Sequence, residues 1–204
     1  MDVSITDPGT PALAPAPGQP LPRTPRELFD ALPPLPGLLV EVIDGRLVAR
    51  RRDALEHASA AMLLFEAFLP LQDERRWQAW TGNVGVCLDG THEPVIPDLV
   101  LAPPDCPQWE RRELLSSGLM LVAEVVSKGS AEDDRGKKPE IYARGGVPVF
   151  LLVDPLTTPA SVTVFSDPKE GRYQVTSTVP FGREILVPHP IGYTLDTSVF
   201  EKVV

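Results

Sequence analysis

The chain has 204 residues and a mass of 22.2 kDa, with 43% hydrophobic residues, enough to build one well-packed domain. Its formal net charge of -9 excludes a protein that coats nucleic acid through bulk positive charge, although Arg50, Arg51 and Arg52, Arg75 and Arg76, Arg111 and Arg112, and Arg135, Lys137 and Lys138 leave room for a local basic face. Cys87 and Cys106 stand in no paired spacing, no apolar run approaches a bilayer span, and the N-terminus carries no signal-peptide pattern, so the expectation is a cytoplasmic protein without disulfides or membrane contact.

Residues 1–23 are dense in proline, alanine and glycine without an apolar face and read as a flexible tail, leaving residues 24–204 as a single domain. Thr24, Pro25 and Glu27 form a helix start: a capping hydroxyl, a proline in the first turn and an acid three residues on. That helix should stop before Pro33 and Pro34. Leu38 to Arg50 reads as a hairpin, because Asp44 and Gly45 tolerate the positive φ of a two-residue turn. Alternation sets Val40 and Val42 on one face and Leu39, Glu41 and Ile43 on the other, so Glu41 is either an edge charge reaching solvent or part of a site. From Asp53 to Gln72 the period becomes helical, with Leu55, Ala58, Met62, Phe65 and Leu69 as the inward stripe; His57 near its start could serve a site, but a lone helix histidine is more often an ordinary surface or core residue.

Trp77 to Leu88 reads as a strand weakened by Gly82 and Gly85, with a turn at Asp89-Gly90. Neither a GxxxxGK[ST] loop nor a GxGxxG fingerprint is present. VIPDLVL, from Val95 to Leu101, is a short strand with Asp98 inside it, and Ala102 to Ser117 is a polar loop with a helical turn at Trp109 to Leu115. Leu119 to Ser127 is an apolar strand, central in its sheet, that carries one carboxylate, Glu124. An unpaired charge there would cost several kcal/mol, so Glu124 implies a partner, a metal or a water-filled edge. Ser130 to Arg144 is helical, with Lys138 one turn before Tyr142, and Pro139 means that the regular helix either begins there or bends there. Val147 to Asp154 completes a strand, helix, strand crossover of parallel type, and the rest reads as antiparallel strands.

Asp98 and Glu124 on neighbouring strands, with a lysine returning over the sheet, make a divalent-metal phosphoryl site. Hard oxygen ligands suit Mg2+ or Mn2+, which polarise a phosphate and acidify an attacking water. A serine hydrolase is disfavoured by the absence of GxSxG, and a zinc site from Cys87, His92 and Cys106 matches no usual ligand spacing.

The order VEVIDG, PDLVL, LVAEVVS, DDRGKKPEIYARGGVP and FLLVDP, from Leu39 to Pro155, resembles the Uma-two family, a bacterial family of endonuclease type within the PD-(D/E)XK nuclease superfamily. The resemblance implies an α/β (α+β) fold with a restriction-endonuclease-like core: a mixed central sheet flanked by helices, with an N-terminal hairpin and C-terminal antiparallel strands. It implies Asp98, Glu124 and the main-chain carbonyl of Val125 as metal ligands, Asp98, Glu124 and Lys138 as the catalytic set, and Glu41, Asp134 and Tyr142 as supporting residues. The superfamily usually carries lysine two residues after the glutamate, where this chain has Val126, so the lysine must come from the helix; Lys138 is the candidate, with Lys137 and Lys128 as rivals. The implied activity is Mg2+- or Mn2+-dependent cleavage of DNA. A homodimer would let two symmetric sites cut both strands. The acidic balance and the displaced lysine motivate the alternative of a nuclease-fold protein that binds DNA or protein without useful turnover.

Overall fold

The computed structural model describes residues 21–51, 55–82, 84–110 and 113–203. The expected tail falls almost wholly on residues 1–20, outside the described residues, as do Arg52, the helix start at Asp53, and Arg111 and Arg112.

Helix α1 (Pro25–Asp30) begins as its sequence dictates: the Thr24 hydroxyl accepts the Glu27 N–H at 3.1 Å, and the Glu27 carboxylate accepts the Arg23 N–H at 2.6 Å. Strands β1 (Leu38–Ile43) and β2 (Arg46–Arg51) then pair antiparallel around Asp44 and Gly45, at φ 50 and 77, the mirror-image turn that suits a twisted hairpin. This hairpin is a sheet of its own.

Helix α2 (Leu55–Arg75) buries Ala60, Ala61, Leu64, Phe68 and Leu71. The stripe expected to face inward is therefore corrected: Leu55 is 83% exposed, and Met62 and Leu69 are also exposed. The segment AAMLLFEAFLPL is apolar nearly all round, so spacing alone selects no face, and contact with the sheet decides it. Phe68→Ala should lower stability by about 3–5 kcal/mol, whereas Met62→Ala should stay within about 0.5 kcal/mol; urea unfolding midpoints check both.

The central sheet runs in the order β12-β11-β10-β9-β6-β3. Its strands β3 (Gln78–Thr81), β6 (Leu99–Ala102) and β9 (Leu121–Val125) are antiparallel neighbours. The chain then crosses through α3 (Lys138–Arg144) to β10 (Val149–Asp154), which lies parallel to β9, as expected. The hairpin of β11 (Ser161–Lys169) and β12 (Arg172–Pro180) extends the sheet. One face packs on α2 through Leu64, Phe68, Leu101, Leu121, Ala123 and Leu151, with Ile185, Val187 and Leu195 of the hairpin β13 (Glu184–Val187) and β14 (Tyr193–Asp196) closing that layer. The other packs on α3 through Val100, Val122, Ile141, Tyr142, Phe150 and Leu152.

A four-stranded sheet, β5-β4-β8-β7, is built from β4 (Gly85–Cys87), β5 (Pro94–Val95), β7 (Gln108–Trp109) and β8 (Glu113–Leu115). It corrects two expectations. Trp77 to Leu88 is not one strand but two, in different sheets. The helical turn at Trp109 to Leu115 is a pair of short strands, Trp109 opposite Glu113, because the Glu113 carboxylate accepts the Arg26 guanidinium at 2.6 Å and Trp109 stacks on His92 at 4.4 Å. These partners lie far away in sequence, so local polarity mimics a solvated turn. Cys87 and Cys106 are buried free thiols. No helix among the described residues is long and apolar enough to cross a membrane.

Candidate active site

Alternation along β9 sends Leu121, Ala123 and Val125 into the α2 layer and Val122, Glu124 and Val126 toward α3. Glu124 is fully buried there, and its partners come from the chain that crosses the sheet. After a turn closed by the Ser127 and Ser130 hydroxyls, 3.0 Å apart, the backbone makes one wide π-helical turn, Asp133–Lys137, and α3 starts at Lys138 with Pro139 in its first turn. Proline lacks the N–H and crowds the preceding turn of a continuous α-helix; the wider turn absorbs both conflicts. Asp134 and Lys138 thereby face the sheet together. Lys138 Nζ lies 2.8 Å from Glu124 Oε1, 3.0 Å from Asp134 Oδ1 and 3.8 Å from Glu41 Oε1. One turn on, the Tyr142 hydroxyl donates to Glu124 Oε1 at 2.6 Å. Of the rival lysines, Lys137 turns outward to Asp44 at 3.0 Å, and Lys128 is exposed.

Glu41 is no edge charge. Its side chain is buried, Oε1 accepts the Ile96 N–H at 2.8 Å, and Oε2 lies 3.1 Å from Arg50 Nε. Asp98 stands just before β6, not within a strand, which corrects the expectation. Its N–H donates to the Ala123 carbonyl at 3.1 Å and its Oδ2 accepts the Val125 N–H at 2.8 Å, so the residue continues the β6–β9 ladder partly with its own side chain. His57, in the first turn of α2, places Nε2 3.1 Å from Asp98 Oδ2 and 2.9 Å from the Val125 carbonyl oxygen. Sequence reasoning weighs His57 as a site residue and favours an ordinary helix histidine; no local pattern decides between the two, since His57 and Val125 are 68 positions apart. Cys87, His92 and Cys106 are not part of this site, and among the described residues no three His, Cys, Asp or Glu side chains form a ready metal cage.

Residues 26–198 match the sequence profile of Uma2, described as "Putative restriction endonuclease". The chain belongs to the Uma2 family. A solved structure with the same fold is that of a protein described as a "putative nuclease belonging to DUF820" from Anabaena variabilis ATCC 29413, at a TM-score of 0.67 and 19% identity over 90% of this chain and 100% of that one. Likeness at that identity shows the fold, a restriction-endonuclease-like mixed α/β architecture as expected. No curated protein matches the sequence.

The electrostatics of this Uma2 site follow from three carboxylates crowding one ammonium. Burial would lower the Lys138 pKa, but Glu124, Glu41 and Asp134 outweigh it and hold the ammonium charged. Burial pushes the Glu124 carboxyl well above its usual range, Lys138 opposing and Asp98, Asp134 and Glu41 adding to the rise; Asp134 is raised by burial in the same way. Asp98 moves in the other direction: burial favours its neutral form, but the His57 hydrogen bond and charge, Lys138 and the Val125 N–H together hold it below the usual range.

These residues fit a divalent cation. Among the described residues, four carboxylates, those of Glu41, Asp98, Glu124 and Asp134, gather around Lys138, Arg50 and His57, a site rich in the hard oxygen donors such an ion prefers. Glu124 Oε2 is buried and finds no hydrogen-bond donor among the described residues. Small divalent ions keep several waters and take only one or two carboxylates, so a closed cage is not required.

Proposed function

We propose that this Uma2 protein is an endonuclease that hydrolyses DNA phosphodiester bonds with Mg2+ or Mn2+. The observation that carries this reading is Lys138: a fully buried ammonium at 2.8 Å from Glu124, delivered by the crossover helix to the sheet end where Asp98 and the Val125 carbonyl stand. Asp98, Glu124 and the Val125 carbonyl would hold the ion, with His57 Nε2 as a further donor. The ion, when bound, supplies charge to the phosphate and acidity to a bound water. Lys138, held protonated by its acids, neutralises charge on the transferring phosphate and orients the attacking water. The Tyr142 hydroxyl fixes Glu124 Oε1, leaving Oε2 as the free donor. Glu41 and Asp134 place Lys138 and keep it charged, and Arg50 offsets Glu41. Two such subunits in a homodimer would serve both strands of a duplex.

One observation favours a second reading, a nuclease-fold protein that binds DNA or protein without turnover: Glu124, Asp134 and Lys138 are all closed off from solvent. The deciding experiment is incubation of supercoiled plasmid, linear duplex and single strands with purified protein and Mn2+ or Mg2+. Metal-dependent nicking is expected. Protein that binds no Mn2+ and cuts no DNA form at any salt concentration would sink the catalytic reading. The same ion should raise thermal stability, by about 2.7 kcal/mol at a hundred times its dissociation constant. A thermal scan of wild type and Asp98→Ala with Mn2+ checks this, the rise being lost in the variant.

A further inference from the structure

The cavity beside Lys138 holds about 10 Å3, room for about one water and not for a phosphate. One wall is the β1–β2 hairpin, through Glu41, Val48 and Arg50, and the other is the chain leading from β9 into α3, through Ser130, Asp134 and Lys138. The space between these walls admits a phosphate beside Lys138 only if they part. On the outside, the same seam is spanned by three ion pairs: Arg46 to Asp133 at 3.1 Å, Lys137 to Asp44 at 3.0 Å and Arg144 to Asp44 at 3.2 Å. Asp44 and Arg46 belong to the hairpin tip; Asp133, Lys137 and Arg144 belong to the π turn and α3. A further polar tie of the tip is the Gly45 N–H to Glu93 Oε1, at 2.7 Å.

The three cations are 60%, 48% and 47% exposed, and ion pairs this wet are weak and screened by salt. A DNA backbone offers Arg and Lys a row of phosphates and gains from the counterions they release. The hairpin shares no strand ladder with the central sheet, so its tip can shift without breaking that sheet. We propose that Arg46, Lys137 and Arg144 form a docking surface for the phosphate backbone of duplex DNA, and that phosphates bound there displace Asp44 and Asp133, part the seam and open the Lys138–Glu124 site. The inference rests on the nuclease reading and extends it: Asp44 and Asp133 act as internal mimics of the substrate's charge, which reconciles a chain of net charge -9 with a polyanionic substrate.

The test compares Asp44→Asn with Asp167→Asn. Both remove one negative charge, and Asn-Gly is a preferred pair for the hairpin turn, so the first variant keeps its fold. Asp167 pairs with Lys169 at 2.9 Å on the β11–β12 hairpin and serves as the charge control. Binding to a DNA duplex is measured at low salt in EDTA, and amide hydrogen exchange over residues 129–138 is followed without DNA. Asp44→Asn should bind about fivefold more tightly than Asp167→Asn, the difference shrinking as salt rises, and should exchange faster over that segment. The triple variant Arg46→Ala, Lys137→Ala, Arg144→Ala should lose binding. Equal affinity and equal exchange in the two single variants, in a protein whose wild type cuts DNA, would overturn the docking surface and leave the nuclease reading standing. A wild type that neither binds nor cuts DNA overturns both.

Discussion

Lys138→Ala is expected to lose nicking activity and about 3–5 kcal/mol of stability together, whereas Lys137→Ala and Lys128→Ala should change stability by no more than about 0.5 kcal/mol. Lys138 is surrounded by Glu124, Asp134 and Glu41, all buried, and removing it leaves their charges uncompensated away from water. The loss has a pH signature. Burial already lifts the Glu124 carboxyl well above its usual 4.5, and Lys138 is the neighbour that pulls it down, so the variant raises it further. An acid whose folded pKa exceeds its unfolded pKa holds its proton longer when folded, so stability falls as pH rises above the unfolded value. The deficit relative to wild type should therefore be smallest below about pH 4.5 and grow toward pH 8, measured by urea unfolding in EDTA. A deficit independent of pH would show that Lys138 acts by packing and not by charge.

Asp98→Ala and Glu124→Ala should each slow Mn2+-dependent nicking by at least about a thousandfold, roughly 4 kcal/mol of transition-state stabilisation. Their structural consequences differ. Asp98→Ala strips the Val125 N–H and His57 of an acceptor, at a cost of about 1–3 kcal/mol in stability, because Asp98 Oδ2 serves both. Glu124→Gln retains a carbonyl oxygen for the Tyr142 hydroxyl while removing the charge, so it should inactivate the protein with its fold intact. Single-turnover nicking of supercoiled plasmid, with circular dichroism on the same samples, separates lost chemistry from lost structure. Activity within tenfold of wild type in Glu124→Gln would remove Glu124 from the ion's ligands.

Which parts of this molecule are legible in its sequence depends on how local their causes are. The Asp44-Gly45 hairpin and the Thr24 cap are decided within a few residues, and both form where their turn chemistry places them. Glu124 announces itself because a lone charge in an apolar run needs an explanation from elsewhere. Lys138 is named by the order of family motifs, but its reach to Glu124 depends on a π turn that no propensity encodes. His57 meets Asp98 and Val125 only through the docking of α2 on the sheet, and the buried face of that helix is itself set by packing. The two-residue strands β5 and β7 exist only because partners distant in sequence pair with them.

The alternation of β9 has a consequence for what a preparation of this protein can contain. The strand offers one side chain and, at the next residue, one carbonyl, and it lies between β6 and β10 with Glu124 turned to one layer only. A slip of one residue against either neighbour would carry Glu124 into the α2 layer among Leu64 and Phe68 and present an aliphatic side chain to Lys138. Such a molecule holds a bare charge in oil and has no site at all. Correct pairing of β9 is a precondition for the site, so a preparation in which part of the molecules carry the slipped register holds that part without any carboxylate from β9 facing Lys138.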